Sequence, residues 1–229
     1  VKGDTATEAG LKLIPFMLGI VSTSIYSGKA ITKHGHYKRF PIIGTVVMTI
    51  GILLMSTLST TTPFWQLSIY AIMVGAGLGL SMQTIVIALQ NAVDFKDMGV
   101  ATSSNTFFRS LGSVFGTAIF GTILTNRLGH YLSQNFANLA ASNPGAVKGF
   151  DPAVLGGIQN NTSVLQTLPP VIQTTALESF VNSFHVVFIV AAPITALGFL
   201  LALFLRETPL RTNKDYAAAR EDAAGEALG

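Results

Sequence analysis

The sequence predicts an all-α integral membrane protein, and three observations carry that prediction. Of its 229 residues, 49% are hydrophobic and only 11% are charged, whereas a soluble globular chain carries roughly 25% charged residues. Five apolar stretches approach or exceed the ~20 residues that a helix needs to cross the hydrocarbon core. Lysine and arginine gather in alternate connections between those stretches, as they do in multi-pass chains. The mean hydropathy of +0.53 argues against intrinsic disorder and an ordinary soluble enzyme. The net charge of +3 is scattered between apolar runs, whereas a nucleic-acid binder would cluster it on one face. Cysteine is absent, so disulfides, thiol nucleophiles and thiolate metal sites are excluded.

The predicted spans cover residues 9–27, 40–58, 64–89, 100–124 and 184–205. The first lacks the basic leading region and small-residue cleavage pattern of a signal peptide. The chain opens on Val1 rather than Met, which reads as a piece cut from a longer protein. Four spans fill residues 1–125, and residues 126–183 form an insert before the last span. Residues 206–229 form a mixed-charge, alanine-rich tail. The connection after the first span carries Lys29, Lys33, Lys38 and Arg39, while the next, 59–63, carries no charge. Alternating spans put the 29–39 connection, the loop at Lys96 and the tail on one side. The positive-inside rule makes that side cytoplasmic, with the N-terminus and the insert outside.

Within the insert, Asn135, Asn138, Ser142, Asn143, Pro144, Gly145 and Gly149 punctuate the first half. Val154, Leu155, Ile158, Leu165, Leu168, Val171 and Ile172 then recur at helical spacing, which suits an amphipathic helix on the membrane surface or over the outer mouth. The Asn160–Ser163 run contains two glycosylation sequons. Trp65 at the outer end of its span suits an interfacial belt. Lys12, Glu178 and His185 fall at outer boundaries, where solvated or headgroup-level positions are expected.

Lipid gives helices no hydrophobic reason to associate, so close packing falls to small residues. Gly75 and Gly79 lie four apart on the third span, with Gly77 between them, and Gly112 and Gly116 repeat the spacing on the fourth. Helical spacing places Thr102, Asn105, Arg109, Gly112, Ser113 and Gly116 on one broad face. A charge at depth costs about 2.5–3.5 kcal/mol on insertion scales, so Arg109 should face protein or water. Two roles suit it: a cation lining a substrate or proton path, or a latch that pairs with helix-end carbonyls or snorkels to the cytoplasm. The latch is the favoured reading. Gln83 and Gln90 share a face with Gly79, where they either line a cavity or bond a neighbouring helix. His34 and His36 stand in a basic loop without an acid, so no metal site is expected. No cofactor is expected, and no enzyme constellation is present in the sequence.

Three motifs carry a resemblance. The segments from Gly75 to Gln83, from Gln90 to Val93 and from Gly99 to Ala118 are similar to the C-terminal half of fourteen-span drug:proton antiporters, the EmrB/QacA-type branch of the major facilitator superfamily. The opening run Ala9–Pro15 resembles the start of that family's tenth span. The resemblance implies that the five helices are spans ten to fourteen, part of the C-terminal half of the fold. Gly28, Lys33, Gly35 and Arg39 resemble a degenerate copy of the superfamily's cytoplasmic gating motif, with Thr32 where the motif has aspartate. It further implies a multi-pass protein of the cytoplasmic membrane that exports amphipathic compounds by proton-coupled alternating access. Its partners would then be the bilayer, protons, amphipathic substrates and the absent N-terminal half, without which the segment would not transport. An exporter of one lipid or metabolite, and a truncated non-transporting membrane partner, remain the alternatives.

Overall fold

The computed structural model describes residues 6–145, 147, 157, 165 and 168–210, with the side chains of Ala6 and Ala9 excepted. Every regular element among them is helical. A six-residue helix α1 (Ala6–Leu11) leads into α2 (Ile14–His34), α3 (Arg39–Met55) and α4 (Phe64–Ala92). A single 3-10 turn at Phe95–Asp97 precedes α5 (Met98–Ser142), and α6 (Pro170–Leu203) closes the set. Helices α2, α4, α5 and α6 are long and apolar enough to cross a membrane, and α3 is apolar but has 17 residues, at ~26 Å the minimum for a span.

The helix limits follow local chemistry. Pro15 occupies the first turn of α2, where its missing N–H costs nothing and its φ is preset. At the other end Gly35, at φ 76°, adopts the left-handed conformation and donates its N–H to the Ile31 carbonyl at 2.8 Å. That glycine cap carries the helix to His34, so Lys29 and Lys33 lie on its last turns instead of in a loop. Pro169 and Pro170 set the start of α6, and Pro193 sits inside it, removing the N–H due to the carbonyl four residues back.

Two helices run past the predicted spans. Helix α5 continues unbroken for 45 residues, about 68 Å, where the sequence suggests a break near residue 124. Helix α6 begins at Pro170, fourteen residues before Phe184. The reason is a second core: Leu128, Leu132 and Phe136 of α5 bury against Leu165 and against Ile172, Ala176 and Phe180 of α6. Asn135 Nδ2 donates to Ser179 Oγ at 2.9 Å, and Ser179 Oγ reaches the Tyr131 carbonyl at 3.3 Å. Both ends of the expected insert thus form a helical pair continuous with α5 and α6. Val154, Leu155, Ile158, Gly149 and the Asn160–Ser163 run lie outside the described residues, as does the tail beyond Leu210.

Helix α4 is the hub, and glycines let its neighbours approach. A Cβ built on Gly75 would strike the Phe16 carbonyl of α2, and one on Gly79 would strike Thr23 Oγ1 and the Ile20 carbonyl. Across this seam Thr23 Oγ1 donates to the Ala76 carbonyl at 3.0 Å, and Ser24 Oγ to the Gly79 carbonyl at 3.2 Å. Gly77 serves the other side: its Cβ would meet the Gly44 carbonyl and Met48 of α3. Hydroxyl-to-carbonyl bonds and backbone contact replace the hydrophobic drive that lipid cannot supply.

Candidate functional site

The polar residues of α4 and α5 meet at one end of the bundle. Gln90, Met98, Gly99, Thr102, Ser103 and Thr106 line an open cleft of about 660 Å³. Asn105, half-buried, falls between Ser103 and Thr106 without lining the cleft, and Arg109, exposed, comes one turn past Thr106, with Gln83 exposed on α4. None of the three makes a hydrogen bond or ion pair within the described residues. The cleft therefore gathers Gln90 with the hydroxyl face of α5, while Asn105 lies half-buried beside it and Gln83 and Arg109 stand on open surface.

The first half of α5 is bare. No α5 residue before Leu128 is buried, and Cβ atoms built on Gly112, Gly116 or Gly121 would meet nothing within 4 Å. Gly75 and Gly79 pack a helix, whereas Gly112 and Gly116, with the same spacing, face no described residue. Thr102, Asn105, Arg109, Gly112 and Gly116 form a continuous stripe of small and polar residues, flanked by Gln90 at the Thr102 end and with no described neighbour within 4 Å of a Cβ built at Gly112 or Gly116.

The same end of the bundle carries a network with little trace in the sequence. After α6 the chain turns back as an extended strap, residues 205–210, beneath the ends of α2, α3 and α4. Tyr37, 1% exposed, donates its hydroxyl to the Arg206 carbonyl at 3.1 Å and accepts from the Thr208 N–H at 2.9 Å. Asn91 Nδ2, at the end of α4, donates to Thr208 Oγ1 at 2.9 Å and to the Pro209 carbonyl at 3.0 Å. Glu207 Oε1 accepts from the Tyr37 N–H at 2.9 Å and lies 3.3 Å from His36 Nδ1. Leu205 and Leu210 pack against Ile31, Tyr37 and Ala88. A buried amide near a helix end is the one available signal, since buried polar groups need partners.

The gating-motif positions surround this network without joining it. Gly28 lies 3.7 Å, measured from a built Cβ, from Gln83 Cγ, and Gly35 is the helix cap. Lys33 and Arg39 are exposed. Thr32 Oγ1 returns to the Gly28 carbonyl at 2.9 Å and relays no charge. His34 Nδ1 lies 3.0 Å from the Ala30 carbonyl, and no group of metal-ligating side chains occurs among the described residues.

Comparisons with known proteins agree with this helical architecture. The model of the Major Facilitator Superfamily matches residues 3–140. An uncharacterized MFS-type transporter of Mycobacterium tuberculosis is 39% identical over 98% of this chain and 31% of its own length. A tetracycline resistance determinant of Streptomyces rimosus is 28% identical over 98% of this chain and 69% of its own. The multidrug transporter protein MdtP of Bacillus subtilis is 29% identical over the whole chain and 44% of its own length. The chain thus spans about a third of the Mycobacterium relative. Membrane-length helices packed through glycine and a family match across more than half of the residues lead to one assignment: this multi-pass membrane chain belongs to the major facilitator superfamily.

Proposed function

We propose that this chain is the C-terminal part, spans ten to fourteen, of an EmrB/QacA-type drug:proton antiporter of the cytoplasmic membrane. The carrier exports amphipathic compounds by proton-coupled alternating access. The observation that carries this reading is the largely uncovered stripe on α5, from Thr102 through Asn105 and Arg109 to Gly116. Polar groups and glycines set against lipid are costly or wasted, so such a stripe calls for a protein or water surface opposite. A preceding half of the same transporter, with cargo carried between the halves near the midplane, is the surface that fits. Relatives named for tetracycline resistance and for multidrug transport support amphipathic cargo.

In this reading the end with Tyr37, Asn91 and Thr208 is cytoplasmic, and the α3–α4 turn and the α5–α6 helical pair are outside. Gln83 and Asn105 border the cargo path. Arg109 latches the two halves in one state through its planar fork, which bonds two carbonyls or a carboxylate at once. Gly28, Lys33, Gly35 and Arg39 form a cytoplasmic gating edge without the aspartate relay. The test is resistance profiling of the full-length protein in a drug-sensitive host, with and without a protonophore. Raised tolerance to several unrelated amphipathic compounds, lost when the proton gradient collapses, is expected. Export of one cargo only would overturn the multidrug reading, and insensitivity to the protonophore would overturn the coupling.

A further inference from the structure

The corner where α2 meets α3 concentrates positive charge. Lys29 and Lys33 stand four apart on the last turns of α2, and Lys38 and Arg39 open α3. Lys29, Lys33 and Arg39 are exposed, and Lys38 is half-buried. None of the four side chains makes a hydrogen bond or ion pair among the described residues. Glu207, the acid of the neighbouring strap, is engaged elsewhere: its Oε1 accepts from the Tyr37 N–H and lies 3.3 Å from His36 Nδ1. Like charges four apart on a helix repel, so Lys29 and Lys33 gain from an anion that both can reach.

An apolar strip leads away from the cations. Arg39, Ile43, Val46 and Ile50 follow at helical spacing on one face of α3, and the three apolar members are exposed. From Arg39 to Ile50 that face runs about 17 Å, close to one leaflet of a ~30 Å hydrocarbon core. Helix α3 already packs on α4 and α6, so this strip is the face it leaves to lipid. Tyr26 of α2, 65% exposed, sets its ring edge against Phe40 of α3, with centroids 6.4 Å apart and planes at 70°. That contact joins the two helices beside the cations, at the level where an interfacial aromatic belongs.

We propose that the α2–α3 corner binds an anionic phospholipid of the bilayer. Lys33, Lys38 and Arg39 hold its phosphate, Lys29 adds charge, and an acyl chain lies along Ile43, Val46 and Ile50. Charge complementarity selects the occupant, because a cluster of unpaired cations at the membrane surface fits a lipid of net negative charge. The strip beside it fits a chain, which a free phosphate lacks. The site is separate from the α4–α5 cleft and the α5 stripe, and it does not depend on what the carrier exports. The readout is binding alone, so it stands or fails apart from the gating edge assigned to Lys33 and Arg39.

The test is native mass spectrometry of the intact chain in maltoside detergent, titrated with dioleoylphosphatidylglycerol or dioleoylphosphatidylcholine. Phosphatidylglycerol should be retained about tenfold better, the weight of one charge-assisted contact. The double variant Lys38→Gln/Arg39→Gln should bring that ratio within about twofold and leave phosphatidylcholine retention as it was. Lys96→Gln/Arg127→Gln removes the same charge from exposed positions elsewhere and should keep the full ratio. Arg39→Lys, which keeps the charge, should keep it too. Lys33→Gln, at an exposed position on α2, should lower the ratio without touching the start of α3, so a folding defect in the first double variant does not decide the question. Excess glycerol phosphate should not displace the lipid, because it has no chain for the strip. Equal retention of the two phospholipids would overturn the proposal. So would a ratio unchanged in both Lys38→Gln/Arg39→Gln and Lys33→Gln, an equal fall in the two double variants, or displacement by glycerol phosphate.

Discussion

The phenolic oxygen of Tyr37 accepts the backbone N–H of Thr208 at 2.9 Å across 171 positions of sequence, tying the α2–α3 connection to the segment that follows α6. Asn91 grips the same threonine from α4, so three connections at one end of the bundle are fastened at one point. Because the Tyr37 ring is buried and the other groups are backbone or short side chains, the fastening is stiff. Helices α2, α3, α4 and α6 are thereby held as one body at this end, while α5 joins them through the 3-10 turn and its outer half.

Tyr37→Phe keeps the ring in its buried place but strands the Thr208 N–H and the Arg206 carbonyl. Arg206 and Thr208 are exposed residues, so the loss is that of net hydrogen bonds, about 0.5–1.5 kcal/mol each, and the variant should unfold slightly earlier in a thermal melt. Faster hydrogen exchange in residues 205–210 should accompany the loss. Asn91→Ala should do the same, and the double variant should cost less than the sum of the two because both act on Thr208. Full additivity with unchanged exchange in the strap would show that the strap is not what they hold.

Glycine substitutions separate the packed seams from the bare one. Gly77→Ala drives a Cβ into the Gly44 carbonyl and Met48, a backbone collision that cannot relax by a rotamer change. Overpacking of this kind costs about 1–3 kcal/mol, and folded yield should fall. A Cβ added at Gly116 meets no described atom within 4 Å, so Gly116→Leu should leave the melt of the 229-residue chain unchanged. In the full-length carrier it should lower transport, because the proposed opposite half must approach that face. Normal transport by Gly116→Leu in the full-length protein would mean that the face looks onto lipid.

These seams show how far sequence alone reaches. The four-residue spacing of Gly75/Gly79 and of Gly112/Gly116 is identical in the sequence, yet only the first pair packs a helix here. Spacing defines a face and does not say what stands opposite. The five apolar helices were legible because hydrophobic length is a local property. Their ends were less so: residues 170–183 alternate polar and apolar because they pack on α5 instead of lipid, and a span search stops where hydropathy drops. Tyr37 and Thr208 left no local signal at all. His185 read as a boundary residue, and only the folded α3–α4 turn reveals its acceptor, the Leu58 carbonyl.

The helical pair beyond the spans should depend on its own small core. Leu132 is 1% exposed between Phe136, Ile172 and Ala176. Leu132→Ala should cost about 2–5 kcal/mol locally, seen as protease cleavage within 126–145 and 170–183. Glycine packing around α4 should be untouched, because the two cores share no residue. Global loss of helix in that variant would mean that the outer pair nucleates the whole bundle.

The proposed orientation places the α5–α6 pair outside and the strap inside. Ser142 and Lys33 are both exposed, and the chain has no native cysteine. A cysteine at Ser142 should react with a membrane-impermeant maleimide in intact cells, and one at Lys33 should react only after lysis. The reverse pattern would invert the topology and make the basic helix end extracytoplasmic.

Arg109 divides the two roles that its position allows. It is exposed on α5, one turn past Thr106 and the cleft, and pairs with no described residue. Alanine would abolish transport under either role, so lysine is the sharper substitution. Lysine keeps the charge but loses the planar fork that bonds two carbonyls or a carboxylate at once. As a latch between halves, Arg109→Lys should reduce export of every cargo by a similar factor. It should also shift the balance between inward- and outward-open states, read by accessibility of paired labels. As part of the cargo path it should instead leave that balance alone and change which compounds are exported, or the pH at which export is fastest. The latch is the expected result, because the adjoining Gly112 and Gly116 prepare a close helix contact and not an open channel. A folded lysine variant with altered cargo preference and an unshifted conformational balance would sink it.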